Sequence, residues 1–138
     1  MSTFTFTVYG TPAPQGSKRH VGRGILVESS KRLRPWRDIL TWHARDAARQ
    51  ARWDGHDAPV CVTLAFHLAR PKSAPKRRVW PSVKPDIDKL SRAVLDALVD
   101  AAVLRDDAQV VHLDAAKGYG DPGVDITITT IDHEETTR

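Results

Sequence analysis

The chain is poor in cysteine: it has one, Cys61, in 138 residues. A single thiol excludes an internal disulfide and any multi-cysteine metal cluster, and it suits a reducing compartment. No stretch approaches the roughly 18–20 consecutive apolar residues that a membrane span needs. Met1 to Tyr9 alternates apolar with polar residues and lacks a charged start followed by an apolar run, so it does not read as a secretory signal. The expected location is cytoplasmic, with no membrane partner. There is no internal repeat and no linker-like stretch. The six histidines show no ligand spacing such as H-E-x-x-H. Gly16-Ser17-Lys18 has neither the residue order nor the strand–loop–helix setting of a phosphate-binding loop, so no small-molecule cofactor is expected.

What is present fits one globular domain over residues 1–138, with 41% hydrophobic residues and enough length for a core. The formal net charge of +4 hides a segregation. Residues 1–55 carry ten Lys/Arg against four Asp/Glu, residues 56–84 six against one, and residues 85–138 five against twelve. A basic half suits a polyanion such as nucleic acid. An acidic half binds cations or simply aids solubility.

Thr3, Thr5 and Thr7 alternate with Phe4, Phe6 and Val8 at strand period. Residues 10–24 read as a basic loop containing Lys18 and Arg19, and Ile25 to Val27 as a short strand. A helix is expected from Pro35 to Trp53, with the proline in the first turn and Trp36, Ile39, Leu40, His43 and Ala47 on one face. Trp42 and Trp53 are expected to pack with it. Pro59 to Ala69 reads as a strand covered on both faces, with Cys61 in the core. Residues 70–85 form a second basic loop, carrying Arg70, Lys72, Lys76, Arg77, Arg78 and Lys84. Trp80 sits among these cations, which suits contact with a base or a partner. A second helix runs from Asp88 to about Ala102, and Asp88 is an N-cap candidate. Strands near Val110 to Ala115 and Val124 to Thr129 are expected to pair as a hairpin. Residues 132–138 read as a frayed tail. The order β-β-α-β-α-β-β predicts an α/β single domain with a mixed sheet of four to five strands and two helices.

Lys84-Pro85-Asp86-Ile87-Asp88 carries the most chemistry. If this stretch is extended, Asp86 and Asp88 point the same way and repel. A hard divalent cation such as Mg²⁺ would relieve that repulsion. The plain alternative is that one Asp caps the helix and the other favours its dipole. Lys89 and Arg92 lie close by, where cations oppose the helix dipole unless a phosphate or the carboxylates offset them. Asp106-Asp107 follows the helix and reaches its start only if the chain folds back or a second subunit supplies it.

Lys84 to Arg92, then Leu95-Asp96-Ala97-Leu98, then Asp106-Asp107-Ala108-Gln109-Val110-Val111 resemble the RusA-type Holliday junction resolvases, over about 28 residues. Gly10 to Arg19 is similar to versions carried by phages of actinobacteria. The resemblance implies a homodimeric nuclease in a bacterial host cell. It would use Mg²⁺ or Mn²⁺ to cut paired strands of four-way DNA junctions, in recombination, repair or phage DNA processing. It places the metal-binding carboxylates on Asp86, Asp88 and Asp107, and adds Arg92 as a catalytic cation. Backbone contacts would come from Lys18, Arg19, Arg70, Lys72, Lys76, Arg77, Arg78, Lys84 and Lys89. Three positions depart from the family pattern. Arg92 stands for a Lys, Lys89 for an Asn, and Ala102 for a common Gly. The alternatives are a non-catalytic junction-binding protein with the carboxylates as caps, and an RNA-binding protein.

Overall fold

A computed structural model describes residues 2–16 and 23–131, with the backbone alone for residues 23–30. Lys18, Arg19 and residues 132–138 lie outside the described residues. The elements are β1 (Thr3–Tyr9), α1 (Arg23–Gln50), β2 (Val60–Leu68), α2 (Ile87–Asp100), a single 3-10 turn (Asp107–Gln109), β3 (Val110–Tyr119) and β4 (Gly123–Thr130). They form one mixed sheet in the order β1-β4-β2-β3. β2 runs parallel to β3 and antiparallel to β4, which also pairs antiparallel with β1. The α/β single domain with two helices and a mixed sheet is as expected.

Alternation places the core. Val60, Val62, Leu64 and Phe66 of β2 are buried with Val124, Ile126 and Ile128 of β4 and Phe4 and Val8 of β1. Trp36, Leu40 and Ala44 of α1, and Leu90, Val94, Ala97 and Leu98 of α2, pack over them at helical spacing.

Several expectations give way. Ile25 to Val27 is not a strand but lies in α1, which begins at Arg23 and takes Pro35 into its interior. Three β-branched or apolar residues are too few to hold a strand against the helix formers of Glu28 to Arg34. Trp42 is 60% exposed, and Ile39 also faces outward. The second face of β2 is not covered, because both helices pack on the other side. Cys61 is therefore half-buried on an open face, not in the core. Threonine pairs line that face, Thr3 with Thr129 at 2.8 Å and Thr5 with Thr127 at 3.0 Å.

The expected hairpin is absent, since β4 inserts between β1 and β2. The burial pattern gives the reason. Alternate residues of β4 are fully buried, which demands a central position, while β3 is largely exposed and takes the edge. Stepping past β2 requires about 10 Å, two strand spacings. Gly120, Asp121 and Pro122 cover it, and the Gly120 N–H donates to the Leu68 carbonyl (3.0 Å) at the end of β2.

Both helices end in the same way without glycine. After α2, the Val103 N–H reaches the Leu98 carbonyl (3.0 Å) and the Ala102 N–H reaches Val99 (3.0 Å). This is the Schellman pattern, and it sets Ala102 in the left-handed region at φ 62. Arg52, at φ 54, does the same after α1. A Cβ costs roughly 1–2 kcal/mol in that conformation, while glycine loses roughly 0.4–1 kcal/mol through a freer unfolded chain. Ala102→Gly is therefore expected to stabilise the fold by about 0.5–1 kcal/mol. A urea titration reads this as a higher midpoint at unchanged slope.

Candidate active site: carboxylates along one helix and a stapled cationic loop

Asp86 occupies the N-cap position of α2 with extended backbone, φ −75 and ψ 139, and its side chain makes no cap hydrogen bond. Asp88 falls inside the first turn rather than at the cap. The capping half of the alternative is therefore not met, while Asp88 in the first turn still favours the helix dipole. Asp86 meets Lys89 at 3.6 Å across one turn. Asp88 has no hydrogen bond or salt bridge among the described residues.

Asp88, Arg92 and Asp96 recur at i, i+4 and i+8, so they share one stripe of α2 at roughly 6 Å rise per step. The connection after α2 folds back along that stripe. Asp107 comes under the influence of Asp106, Asp96 and Arg92. Its carboxyl is pushed above the usual carboxylate range, first by burial, then by its hydrogen bond with Asp106 and by the negative charges of Asp106 and Asp96, while Arg92 pulls the other way. Asp106 has a different job. Its side chain accepts the Ala108 N–H (3.0 Å), and the Gln109 side chain accepts the Asp106 N–H (2.9 Å), a reciprocal capping box. The Ala108 N–H and then the hydrogen bond with Asp107 hold Asp106 below the usual range. The 3-10 turn thus spends Asp106 on structure and presents Asp107 beside α2.

Asp86 and Asp88 sit at the start of α2, while Asp107 lies farther along it. Among the described residues, no three of His, Cys, Asp and Glu are grouped to hold one metal ion. Two residues overlooked in the sequence bear on the site. Asp96, to which the sequence assigns no role at the site, neighbours Asp107 and accepts the Gln15 amide (2.5 Å). Gln15 also donates its backbone N–H to the Lys89 carbonyl (3.0 Å) and accepts Arg37 (3.3 Å). The strand-to-helix segment after β1 is thereby tied to the same stripe. The four-residue spacing of Asp88, Arg92 and Asp96 was the signal available. Nothing marked Gln15.

The loop from Ala69 to Asp86 is held at both ends. Arg70 donates to the carbonyls of Arg78 and Pro75 (both 2.6 Å) and lies over the Tyr119 ring at 5.1 Å. Lys117 donates to the carbonyls of Val83 (3.0 Å) and Pro85 (2.9 Å), fixing the entry to α2. Lys72, Lys76, Arg77 and Lys84 are left exposed, and Arg78 is half-buried.

Because the Asp107 carboxyl is raised on folding, the folded state holds that proton more tightly than the unfolded chain. Asp107 favours folding below its unfolded value near 3.8, and that contribution is lost as pH rises through the higher folded value. At neutral pH the crowded carboxylates oppose folding. Asp107→Asn is expected to raise the melting temperature slightly at about pH 7, with the gain fading toward about pH 3. Thermal melts of both proteins at the two pH values check this, and a lower melting temperature at neutral pH would contradict it.

The carboxylates thus follow a cationic loop tied to the frame by Arg70 and Lys117, on a two-layer α/β fold. The family model for endodeoxyribonuclease RusA matches residues 9–129. An uncharacterised protein of Bacillus subtilis (strain 168), YqaN, is 28% identical over 144 residues, covering 95% of this chain and 99% of its own length. The chain belongs to the RusA endodeoxyribonuclease family, the Holliday junction resolvases. No helix among the described residues is long and apolar enough to cross a membrane.

Proposed function

We propose that this protein is a homodimeric, divalent-metal-dependent resolvase that cuts paired strands of four-way DNA junctions, in recombination, repair or phage DNA processing. One observation carries the reading. The aspartates at the start of α2 make no cap bonds, although they stand at a helix N-terminus directly after a stapled loop of cations.

The donor set suits a hard cation. Mg²⁺ takes oxygen ligands, and it is commonly held by one or two carboxylates together with substrate phosphate and water. An open arrangement of Asp86, Asp88 and Asp107 fits that habit without a closed three-carboxylate cage. Mn²⁺ would serve the same donors. The bound ion would supply an activated water and a counter-charge to the phosphorane. Arg92, one turn after Asp88 and near Asp107, would grip the scissile phosphate. As a planar fork it can make two parallel bonds where a lysine offers a point charge. Lys89 would share its charge between Asp86 and the backbone, and Lys84 would meet the next phosphate. A two-fold dimer would present two such sites to a two-fold junction. Val111 (61% exposed) and Leu113 on the free edge of β3 supply apolar surface that a second subunit would cover.

The test is incubation with a synthetic four-way junction in Mg²⁺. Cleavage that stops on adding EDTA and returns with excess Mg²⁺ or Mn²⁺ is expected. Cleavage unaffected by EDTA would remove the metal from the account. Tight junction binding with no cleavage in either metal would favour a non-catalytic junction-binding protein.

A further inference from the structure

Trp80 is 66% exposed, and its neighbours Val79 and Val83 are 70% and 44% exposed. Large apolar groups left in water on a loop call for an occupant. The loop gives the ring a firm base. Pro81, the next residue, is buried. The Ser82 N–H closes on the Trp80 carbonyl at 2.7 Å. Arg70 ties down the chain before Trp80, and Lys117 the chain after it. One edge of the indole rests near β3, where a Cβ on Gly118 would meet its Cζ3 atom at 4.0 Å. The rest of the ring faces outward.

The surroundings choose the occupant. Lys72, Lys76, Arg77 and Lys84 share the loop and are exposed. Protein interfaces are depleted in lysine, whereas a cationic rim around an aromatic platform is how proteins hold unpaired nucleic acid. An indole reads the face of a base, not its edge. Inside a duplex every face is stacked and only edges show in the grooves. A face becomes available where the stack of base pairs is interrupted, as it is at the open crossover of a four-way junction.

We propose that Trp80 is a branch-point wedge: its indole stacks on a base freed at the crossover of a DNA junction, while the loop cations hold the flanking phosphates. This rests on the junction-cutting reading above and names the feature of the substrate that selects it.

The test compares the full-length wild type with Trp80→Ala and Trp80→Phe in EDTA, so that the DNA stays whole. Two probes are used, a four-way junction with 2-aminopurine at the crossover and a linear duplex of the same arm sequence. The wild type should prefer the junction and change the 2-aminopurine fluorescence. Trp80→Ala should weaken junction binding about ten-fold or more and abolish the fluorescence change, with duplex binding within about two-fold of wild type. Trp80→Phe, which keeps a ring, should recover much of both. Because the ring is exposed, melting temperatures should match, and this separates the effect from misfolding. Trp80→Ala that keeps the preference and the fluorescence change overturns the wedge alone. So does equal loss on junction and duplex, or a change of oligomeric state with unaltered junction preference, which would make Trp80 a subunit contact. A wild type that holds junction and duplex alike overturns the resolvase reading, and the wedge with it.

Discussion

Asp88→Asn is expected to stop strand cleavage while leaving junction binding close to wild type. The substitution removes one carboxylate charge and almost no volume. Asp88 is exposed and has no hydrogen bond or salt bridge among the described residues, so the fold has little to lose. The structural cost is the favourable interaction of a first-turn carboxylate with the helix dipole, about 0.3–1 kcal/mol. The catalytic cost is far larger. Losing a single group aimed at transition-state charge slows an enzyme by about 100- to 1,000-fold, and a carboxylate that holds the metal should cost at least as much. Single-turnover cleavage of a labelled junction in Mg²⁺ gives the rate, and a mobility shift in EDTA gives the binding. If the mutant cuts at the wild-type rate in matched Mg²⁺, Asp88 is not a metal carboxylate.

Removing Lys72, Lys76 and Arg77 together, each to alanine, should weaken binding to junction and duplex alike. Arg70 and Lys117 are left in place because their charges tie the loop to its own carbonyls and to Tyr119, and their loss would move everything else. Each exposed cation that neutralises a phosphate adds about 0.9 to the slope of log affinity against log salt. Three such contacts predict a slope shallower by about 2.7, which corresponds to roughly 100- to 500-fold weaker binding near 0.1 M salt. Titrations over a range of salt concentration measure it. An unchanged slope would mean that the loop does not meet the backbone. The contrast with Trp80 is one of kind, since cations set affinity for any DNA and the ring sets preference for the crossover.

The strands were legible wherever alternation was strong. Phe4 to Val8, Val60 to Leu68 and Val124 to Ile128 each bury the face that their pattern names. α2 was legible from Leu90, Val94, Ala97 and Leu98. The order of the strands was not, because proximity in sequence favours a hairpin. Only the full burial of alternate residues in β4, set against the exposure of β3, puts β4 in the middle. The start of α1 was hidden by Pro35, a residue that favours a first turn but here lies within the helix. Glycine usually marks a helix end, so Arg52 gave no warning of its left-handed cap, and at Ala102 only the glycine common in the family pointed to one.

At the site, local sequence supplied a pair of aspartates and a rival account of them as caps. Family resemblance then chose Asp107 over Asp106. In the structure Asp106 is engaged by the Ala108 N–H in a capping box, and Asp107 is left out of it. Tertiary contacts carried what remained. Gln15 reaches Asp96 across 81 positions of sequence, and no periodicity announces such a bond. Arg70, named from its charge as a DNA contact, has its guanidinium engaged in shaping the loop.

The most direct measurement is a time course of a four-way junction labelled on each strand in turn, with the wild-type protein in Mg²⁺ and in EDTA. The account predicts incisions on two opposed strands at symmetric positions, in Mg²⁺ only, leaving nicked duplexes that ligase can seal. Incision of a single strand, cutting of linear duplex at the same rate, or cleavage that persists in EDTA would contradict it.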